Sequence, residues 1–137
     1  PNPYYDGDVA RPWDELRVRP TMMLAATSFE NAQRLIDRGR HSDGSAAAAP
    51  GRAYLVMTKD RARSTRAPAF PAIRAALGDR LDIELVQAEG IRDRYDVMFY
   101  FTGTTQVPFL DTLGFLPGAI ADHLTSAGGV LNGTHQM

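Results

Sequence analysis

The chain contains no cysteine among its 137 residues. Disulfides, zinc sites built on thiolates and thiol nucleophiles are therefore excluded for this sequence. An excess of one charge is also missing, since 15 Lys and Arg residues oppose 16 Asp and Glu residues and leave a formal net charge of -1. A nearly neutral chain has no broad positive field with which to gather nucleic acid, so we expect no nucleic-acid partner.

Long apolar runs and metal-binding motifs are equally scarce. The apolar run at residues 97–101 is far too short to cross a bilayer, so we expect no membrane span in this sequence. The three histidines, His41, His123 and His135, are far apart and have no paired acidic motif beside them. This spacing does not make a ligand set, and we expect neither a metal site nor a cofactor.

The residues that are present have the composition of a globular domain. Hydrophobic residues make up 44% of the chain and charged residues 23%, which is enough apolar material for a buried core. Prolines are dense within residues 1–20, and this predicts an extended arm. Residues 21–137 are expected to form part of a single α/β domain. Because the sequence starts without an initiator Met and stops in a turn-rich run, we expect it to be an internal piece of a longer protein.

Short apolar runs at several places predict β-strands. These runs occupy residues 22–26, 53–58, 82–86 and 96–102. No tight hairpin signal joins them, which favours parallel pairing through crossover connections. We therefore expect an α/β fold with a mostly parallel sheet and flanking helices, a three-layer sandwich that is incomplete in this chain.

Two stretches have the spacing of helices. Thr27 to Glu30 fits a capping box in which the Thr27 hydroxyl accepts from the N–H of Glu30, and Gly39 is the expected end of that helix. The residues that predict its buried face are Phe29, Ala32, Leu35 and Ile36. Residues 68–77 predict a second helix with Pro71 in its first turn.

Two further segments are less regular. Residues 41–51 are small, polar and rich in glycine and proline, which predicts a surface loop. Residues 118–126 fit a helix, because Pro117 precedes them and Ile120 and Leu124 are four apart. They also fit a strand bounded by glycines, and we favour the strand.

The candidate ligand site follows from the parallel sheet. Ligands of such sheets bind beyond the carboxyl ends of the strands, where the loops converge. The residues expected to bind a ligand there are Asp60, Arg61, Arg63, Thr102, Gly103, Thr104, Asp111 and Asp122. Residues 102–105 would present backbone N–H groups to an anion or a developing oxyanion, and the basic cluster at residues 59–66 would bind phosphate or an acidic peptide. A simple strand-ending turn and a solvated, salt-bridged loop are the alternative interpretations.

A second hypothesis concerns catalysis. His123, Thr125 and Ser126 include the parts of a hydroxyl-nucleophile site, which needs a base within hydrogen-bonding reach of the nucleophile. Adjacent residues of a strand point to opposite faces, so Asp122 would not orient His123 directly. A histidine with a purely structural hydrogen bond is the alternative.

Several motifs follow one another along the chain. They are RPTMMLA at residues 19–25, LIDRG at 35–39, YFTG at 100–103, LDT at 110–112 and FLPGAIADHLTS at 115–126. In this order they resemble a bacterial family of exported conserved hypothetical proteins. The resemblance implies a periplasmic or secreted protein of more than twice this length, and it implies no particular activity.

The layout of a strand that ends in FTG, followed by a second strand at residues 115–126, is more loosely similar to the caspase and gingipain class of cysteine peptidases. In that class a His–Gly turn and a cysteine carry the reaction. Here Thr102, Gly103 and a Leu/Thr/Ser stretch stand in those places. The leading hypothesis is therefore a binding or assembly module with a protein partner or self-assembly. The alternative is a hydrolase that uses His123 with Thr125 or Ser126, or residues outside this chain.

Overall fold

The computed structural model describes residues 24–42 and 51–126, together with Asp14, Glu15 and Arg17. Nearly all of the arm predicted for residues 1–20, and residues 43–50 of the predicted surface loop, lie outside the described residues. Within the described part, every helix is too short or too polar to span a bilayer.

In the described part of the chain, four strands form one parallel sheet in the order β2-β1-β3-β4. The strands are β1 (Arg52–Met57), β2 (Asp82–Gln87), β3 (Arg94–Gly103) and β4 (Leu113–Leu124). All three strand pairings are parallel. The α/β class, the parallel sheet and the flanking helices predicted from the sequence are confirmed.

The first face of the sheet is covered by a short helix, α2 (Phe70–Leu77), which follows a 3-10 turn at Ala67–Ala69. Phe70 packs with Ala53, Leu55 and Ile83 in one buried cluster. Pro71 sits in the first turn of α2, as predicted, where its missing N–H has no helical partner to lose. This cluster lies mainly over β1 and β2, so α2 covers only part of that face.

Among the described residues, the second face is covered by irregular connecting segments. Residues 88–93 connect β2 to β3, and residues 104–112 connect β3 to β4. Ile91 in the first connection is buried against Tyr54, Val97 and Tyr100. The two connections also contact each other, because the guanidinium of Arg92 lies 3.9 Å from the ring centroid of Phe109. We call residues 88–93 and 104–112 the two straps.

Helix α1 (Phe29–His41) differs from its prediction at both ends. Ser28, and not Thr27, is the N-cap, because its hydroxyl accepts from the N–H of Asn31 at 3.2 Å. The helix continues through Gly39 to His41 and is closed by Ser42, whose N–H donates to the carbonyl of Arg38. Glycine lowers helix stability without forbidding the helix, so Gly39 is tolerated inside it.

The predicted burial of one face of α1 is wrong. No residue of α1 is buried. Phe29 is 85% exposed, and Leu35 and Ile36 are each about half exposed at 49% and 48%. The helix contacts the edge strand β4 without inserting its apolar stripe into the core.

Two predictions about strands had different outcomes. Residues 24–26, the described part of the run at 22–26, do not form a strand, and Leu24 is half exposed. The preference for a strand at residues 118–126 is confirmed, since β4 extends to Leu124. This strand also includes Pro117, which an edge strand tolerates because one side of it needs no ladder hydrogen bond.

Candidate functional site

The carboxyl ends of β1 and β3 lie side by side in the sheet. The strand order reverses at this point, because β1 is followed by β2 on one side and β3 is followed by β4 on the other. The chain leaves β1 toward α2 on the first face, whereas it leaves β3 through a strap on the second face. Adjacent strands whose connections leave toward opposite faces create a crevice, and ligands of open α/β sheets bind there. We call the carboxyl ends of all four strands, with the loop at residues 58–66, the carboxyl edge.

The loop at residues 58–66 is held on the end of β3 by hydroxyl groups. The Thr58 hydroxyl donates to the carbonyl oxygen of Gly103. Its oxygen lies 2.7 Å from the Ser64 hydroxyl, and it also accepts from the N–H of Asp60 at 3.2 Å. The loop therefore has a defined shape and does not simply extend into solvent.

Gly103 is required by the close approach of this loop. A Cβ atom at position 103 would lie 2.0 Å from the carbonyl oxygen of Arg63 and 2.8 Å from the nitrogen of Ser64. Real Cβ contacts are far longer than this, so any other residue would push the loop away from β3. The absence of a side chain at Gly103 thus allows the loop at residues 58–66 to lie against the end of β3.

Two of the four cations in the basic cluster at residues 59–66 form ion pairs with carboxylates. The Asp60 carboxylate accepts from the Arg63 guanidinium at 2.9 Å, and Asp122 accepts from Arg66 at 2.5 Å. Lys59 and Arg61 are exposed, and within the described residues neither side chain has a carboxylate partner. The carboxyl edge therefore displays two cations that form no ion pair with a described carboxylate.

Thr102 and His123 meet on the second face of the sheet. They are register partners on β3 and β4, and paired residues of parallel strands present their side chains to the same face. Thr102 is only 2% exposed, and its hydroxyl has no hydrogen-bond partner among the residues that the structure describes. The Nε2 atom of His123 is buried and likewise lacks a partner. Two unpartnered polar groups are thus placed next to each other at the carboxyl edge.

Asp122 lies on the opposite face from His123, in agreement with the alternation of side chains along a strand. Its register partner is Phe101, and its carboxylate is bonded to Arg66. Arg66 also donates to the carbonyl of Thr102 at 3.3 Å, so it ties the ends of β3 and β4 together. Asp122 has a structural role and does not orient the imidazole.

The remaining candidates fall into three groups. Thr104 is buried and its hydroxyl donates to the carbonyl of Gln106 at 3.1 Å, which closes the turn after β3. Thr125 and Ser126 follow β4 at the carboxyl edge. Asp111 lies in a 3-10 turn just before Leu113, whose register partner is Arg94 at the start of β3. The structure therefore separates Asp111 from the other candidates by the length of the sheet.

Sequence reasoning missed the end of β2. A depression of about 380 Å³ at the carboxyl edge is lined by Met57, Thr58, Lys59, Gln87, Ala88 and Glu89. The Glu89 carboxylate accepts from the backbone N–H of Lys59 at 3.2 Å, which joins the ends of β1 and β2. Because ligands of parallel sheets bind beyond the carboxyl ends of the strands, residues 87–89 at the end of β2 were predictable on the same ground.

Within the part of the chain that the structure describes, no group of three or more His, Asp or Glu side chains is placed to hold a metal ion. Comparisons with protein-family models, with curated proteins and with solved structures returned no match to this chain. Function is therefore inferred from the residues and their geometry alone.

Proposed function

We propose that this chain is a binding module with a site for a small oxyanion, such as phosphate or a carboxylate, at its carboxyl edge. The observation that carries the proposal is the adjacent pair of Thr102 and His123, whose buried hydroxyl and Nε2 atom have no hydrogen-bond partner. Leaving a buried polar group unsatisfied costs about 1–3 kcal/mol. Such groups in native structures call for a functional explanation, and a bound ligand that completes their hydrogen bonds supplies one.

The charge of the carboxyl edge favours an anion over a cation. Asp60 and Asp122 are both engaged by arginines, so their negative charge is compensated. Lys59 and Arg61 are left as two positive charges, and the nearby carboxylate of Glu89 offsets one of them. A threonine hydroxyl and a protonated imidazole nitrogen both donate hydrogen bonds, which is what oxyanion oxygens accept.

The experiment is a titration of the 137-residue chain with inorganic phosphate and, separately, with acetate, followed by amide chemical shifts or calorimetry. Thr102→Val removes the hydroxyl and keeps the side-chain shape. A hydrogen bond to a charged group contributes about 1.5–3 kcal/mol, so we expect the dissociation constant of the variant to rise at least 10-fold. Thr105→Val, at an exposed threonine three positions along, is the matched control and should bind as the parent chain does. Absence of saturable binding, or equal affinities for the two variants, contradicts the proposal.

Assembly is the second part of the proposed function. A protein partner or self-association is supported by the apolar side chains that the fold leaves exposed on α1 and β4, above all Phe29 and Ile120. Large exposed apolar patches mark interaction sites in soluble proteins.

Hydrolysis is the alternative function, and one observation favours it. A general base needs a free ring nitrogen, and Nε2 of His123 has no partner. The test is ester and peptide hydrolysis by the protein and by its His123→Ala and Ser126→Ala variants. A hydrolytic rate that both substitutions leave unchanged contradicts the use of these residues.

An exported bacterial setting, periplasmic or secreted, belongs to the same proposal and is supported only by the motif resemblance of residues 19–25 and 115–126. Fractionation of cells that express the protein from its natural gene tests it. Recovery of the protein in the cytoplasmic fraction alone would contradict export.

A further inference from the structure

The depression at the ends of β1 and β2 forms because the chain leaves these two strands in different directions. Met57 and Gln87 are the last register partners of the pair. Beyond them, one segment runs toward α2 on the first face and the other becomes a strap on the second face. The two segments therefore part and leave a space of about 380 Å³, which is within the range of small-molecule sites. We call this space the β1–β2 depression.

The β1–β2 depression has a defined shape on both sides. Met57 packs against the buried cluster beneath α2, so its side chain supplies a fixed apolar wall. At the rim, the Glu89 carboxylate accepts from the backbone N–H of Lys59 at 3.2 Å, which holds Glu89 in place and ties the two segments together. A ligand therefore meets groups whose positions are already set, and binding needs little further ordering of the chain.

Lys59 and Glu89 bring opposite charges to the same depression without pairing with each other. Each lies two residues beyond the last register pair, on segments that continue from neighbouring strands. Among the described residues neither side chain takes part in an ion pair, and the Glu89 carboxylate has a hydrogen bond only to a backbone N–H. An ammonium group and a carboxylate are thus both available to a ligand at one site.

We propose that the β1–β2 depression binds a free α-amino acid with an apolar side chain. An anion would be repelled by Glu89 and a simple cation by Lys59. A zwitterion satisfies both, because its ammonium donates to Glu89 and its carboxylate accepts from Lys59. Its side chain lies against Met57 and Ala88, where apolar surface is removed from water. This site goes beyond the oxyanion site and does not depend on it.

The size of the depression favours a single amino acid over a peptide. A water molecule takes up about 30 Å³ of the liquid, so the depression has the volume of about a dozen waters and suits a ligand of about as many non-hydrogen atoms. Neighbouring strands are about 4.8 Å apart. An α-amino acid carries both charges on one carbon, which matches charged groups that stand on two neighbouring segments.

Titration of the 137-residue chain with L-leucine, followed by the amide chemical shifts of residues 57–59 and 87–89, tests the proposal. We expect saturable binding. L-Leucinamide, which lacks the carboxylate, and isocaproate, which lacks the ammonium, should each bind at least about 5-fold more weakly. Glycine, which lacks the apolar side chain, should also bind more weakly than L-leucine. Absence of saturable shifts with L-leucine, or equal affinities for L-leucine and its two singly charged analogues, overturns the proposal.

Two substitutions locate the binding site. Glu89→Gln removes the charge and keeps an oxygen that accepts from the N–H of Lys59, and its dissociation constant for L-leucine should rise at least about 5-fold. Lys59→Gln should weaken binding to a similar extent. Asp79→Asn, at an exposed carboxylate that precedes β2, is the matched control and should bind L-leucine as the parent chain does. A Glu89→Gln chain that binds L-leucine as tightly as the parent chain contradicts the assignment.

A further comparison separates this site from the oxyanion site. Thr102→Val should leave the affinity for L-leucine unchanged, and Glu89→Gln should not weaken the binding of phosphate. Loss of L-leucine binding in Thr102→Val would mean that the ligand occupies the oxyanion site, and it would overturn a separate site in the β1–β2 depression. A chain that binds L-leucine but not phosphate would support this site and refute the oxyanion site alone.

Discussion

At the scale of single residues, Gly103 links the sequence to the geometry of the carboxyl edge. Its place at the end of an apolar run indicates a strand-ending turn, and the structure adds a stronger requirement. The carbonyl of Arg63 lies where a Cβ atom would be. One missing side chain therefore allows the loop at residues 58–66 to bond to β3.

We predict that Gly103→Ala destabilises the fold by about 2–3 kcal/mol, because overpacking against backbone atoms forces the loop to move. Urea denaturation measures the change. Gly39→Ala is the matched control, since Gly39 lies inside α1 with no atom within 4 Å of the added Cβ. Alanine there should raise stability by up to about 1 kcal/mol. If the two variants shift the midpoint equally, the steric explanation of Gly103 is wrong.

The sequence identifies Thr102 and His123 as strand-end residues, but it does not show that their polar atoms lack partners. That property depends on register, and a slip of one residue would place the two side chains on opposite faces. The separation of Asp111 from the other candidates follows from sequence order, because a residue that directly precedes a strand lies at the amino end of that strand. The sequence therefore predicts which polar side chains lie at the strand ends, but it does not predict which of them lie next to each other.

At the scale of elements, the straps are the main departure from what the sequence predicts. A connection between parallel strands usually needs a helix, and residues 88–93 and 104–112 cross the sheet without one. Ile91 explains how this is possible, since its buried side chain replaces the apolar face that a helix would contribute. The strands themselves were predictable, because runs buried on both faces are continuously apolar.

We predict that Ile91→Ala lowers the free energy of unfolding by about 2–4 kcal/mol, as expected when a buried aliphatic side chain is truncated. Ile73→Ala on α2 removes the same atoms from a partly exposed position and should cost less than about 1 kcal/mol. Equal losses would mean that the strap does not contribute to the core as proposed. Hydrogen exchange of residues 88–93 gives a second measurement, with faster exchange expected in Ile91→Ala only.

At the scale of the whole molecule, the two ends of the sheet have different chemistry. At the amino end, Arg52 bridges Asp82 at 2.7 Å and Glu84 at 3.3 Å, so the ends of β1 and β2 are joined by ion pairs. The hydrogen bond from Arg52 to Asp82 raises the pKa of the guanidinium. These ion-paired groups contrast with the Thr102 hydroxyl and the Nε2 atom of His123 at the other end, which have no hydrogen-bond partner among the described residues.

The side chain of Tyr54 connects the amino end of the sheet to the core, and its ionisation makes the stability of the fold depend on pH. Its ring is fully buried, and its hydroxyl donates to the Asp96 carboxylate at 2.6 Å. Burial, with help from that hydrogen bond, raises the pKa of Tyr54 to about 12. The folded state therefore holds this proton more tightly than the unfolded state, in which the pKa is about 10. Its contribution is fully present below about pH 10 and is lost as the pH rises toward 12.

We predict that the free energy of unfolding falls by at most about 3 kcal/mol between pH 10 and pH 12 on account of Tyr54. Tyr54→Phe should flatten this part of the pH profile, while a smaller dependence from Tyr100 remains because burial raises its pKa as well. Tyr95→Phe, at a tyrosine that is 72% exposed, should leave the profile of the parent chain unchanged. Urea denaturation at pH values from 8 to about 12 makes the comparison over the range in which an ordinary and a buried tyrosine titrate. Parallel curves for Tyr54→Phe and the parent chain would show that the buried hydroxyl is not the source of alkaline instability.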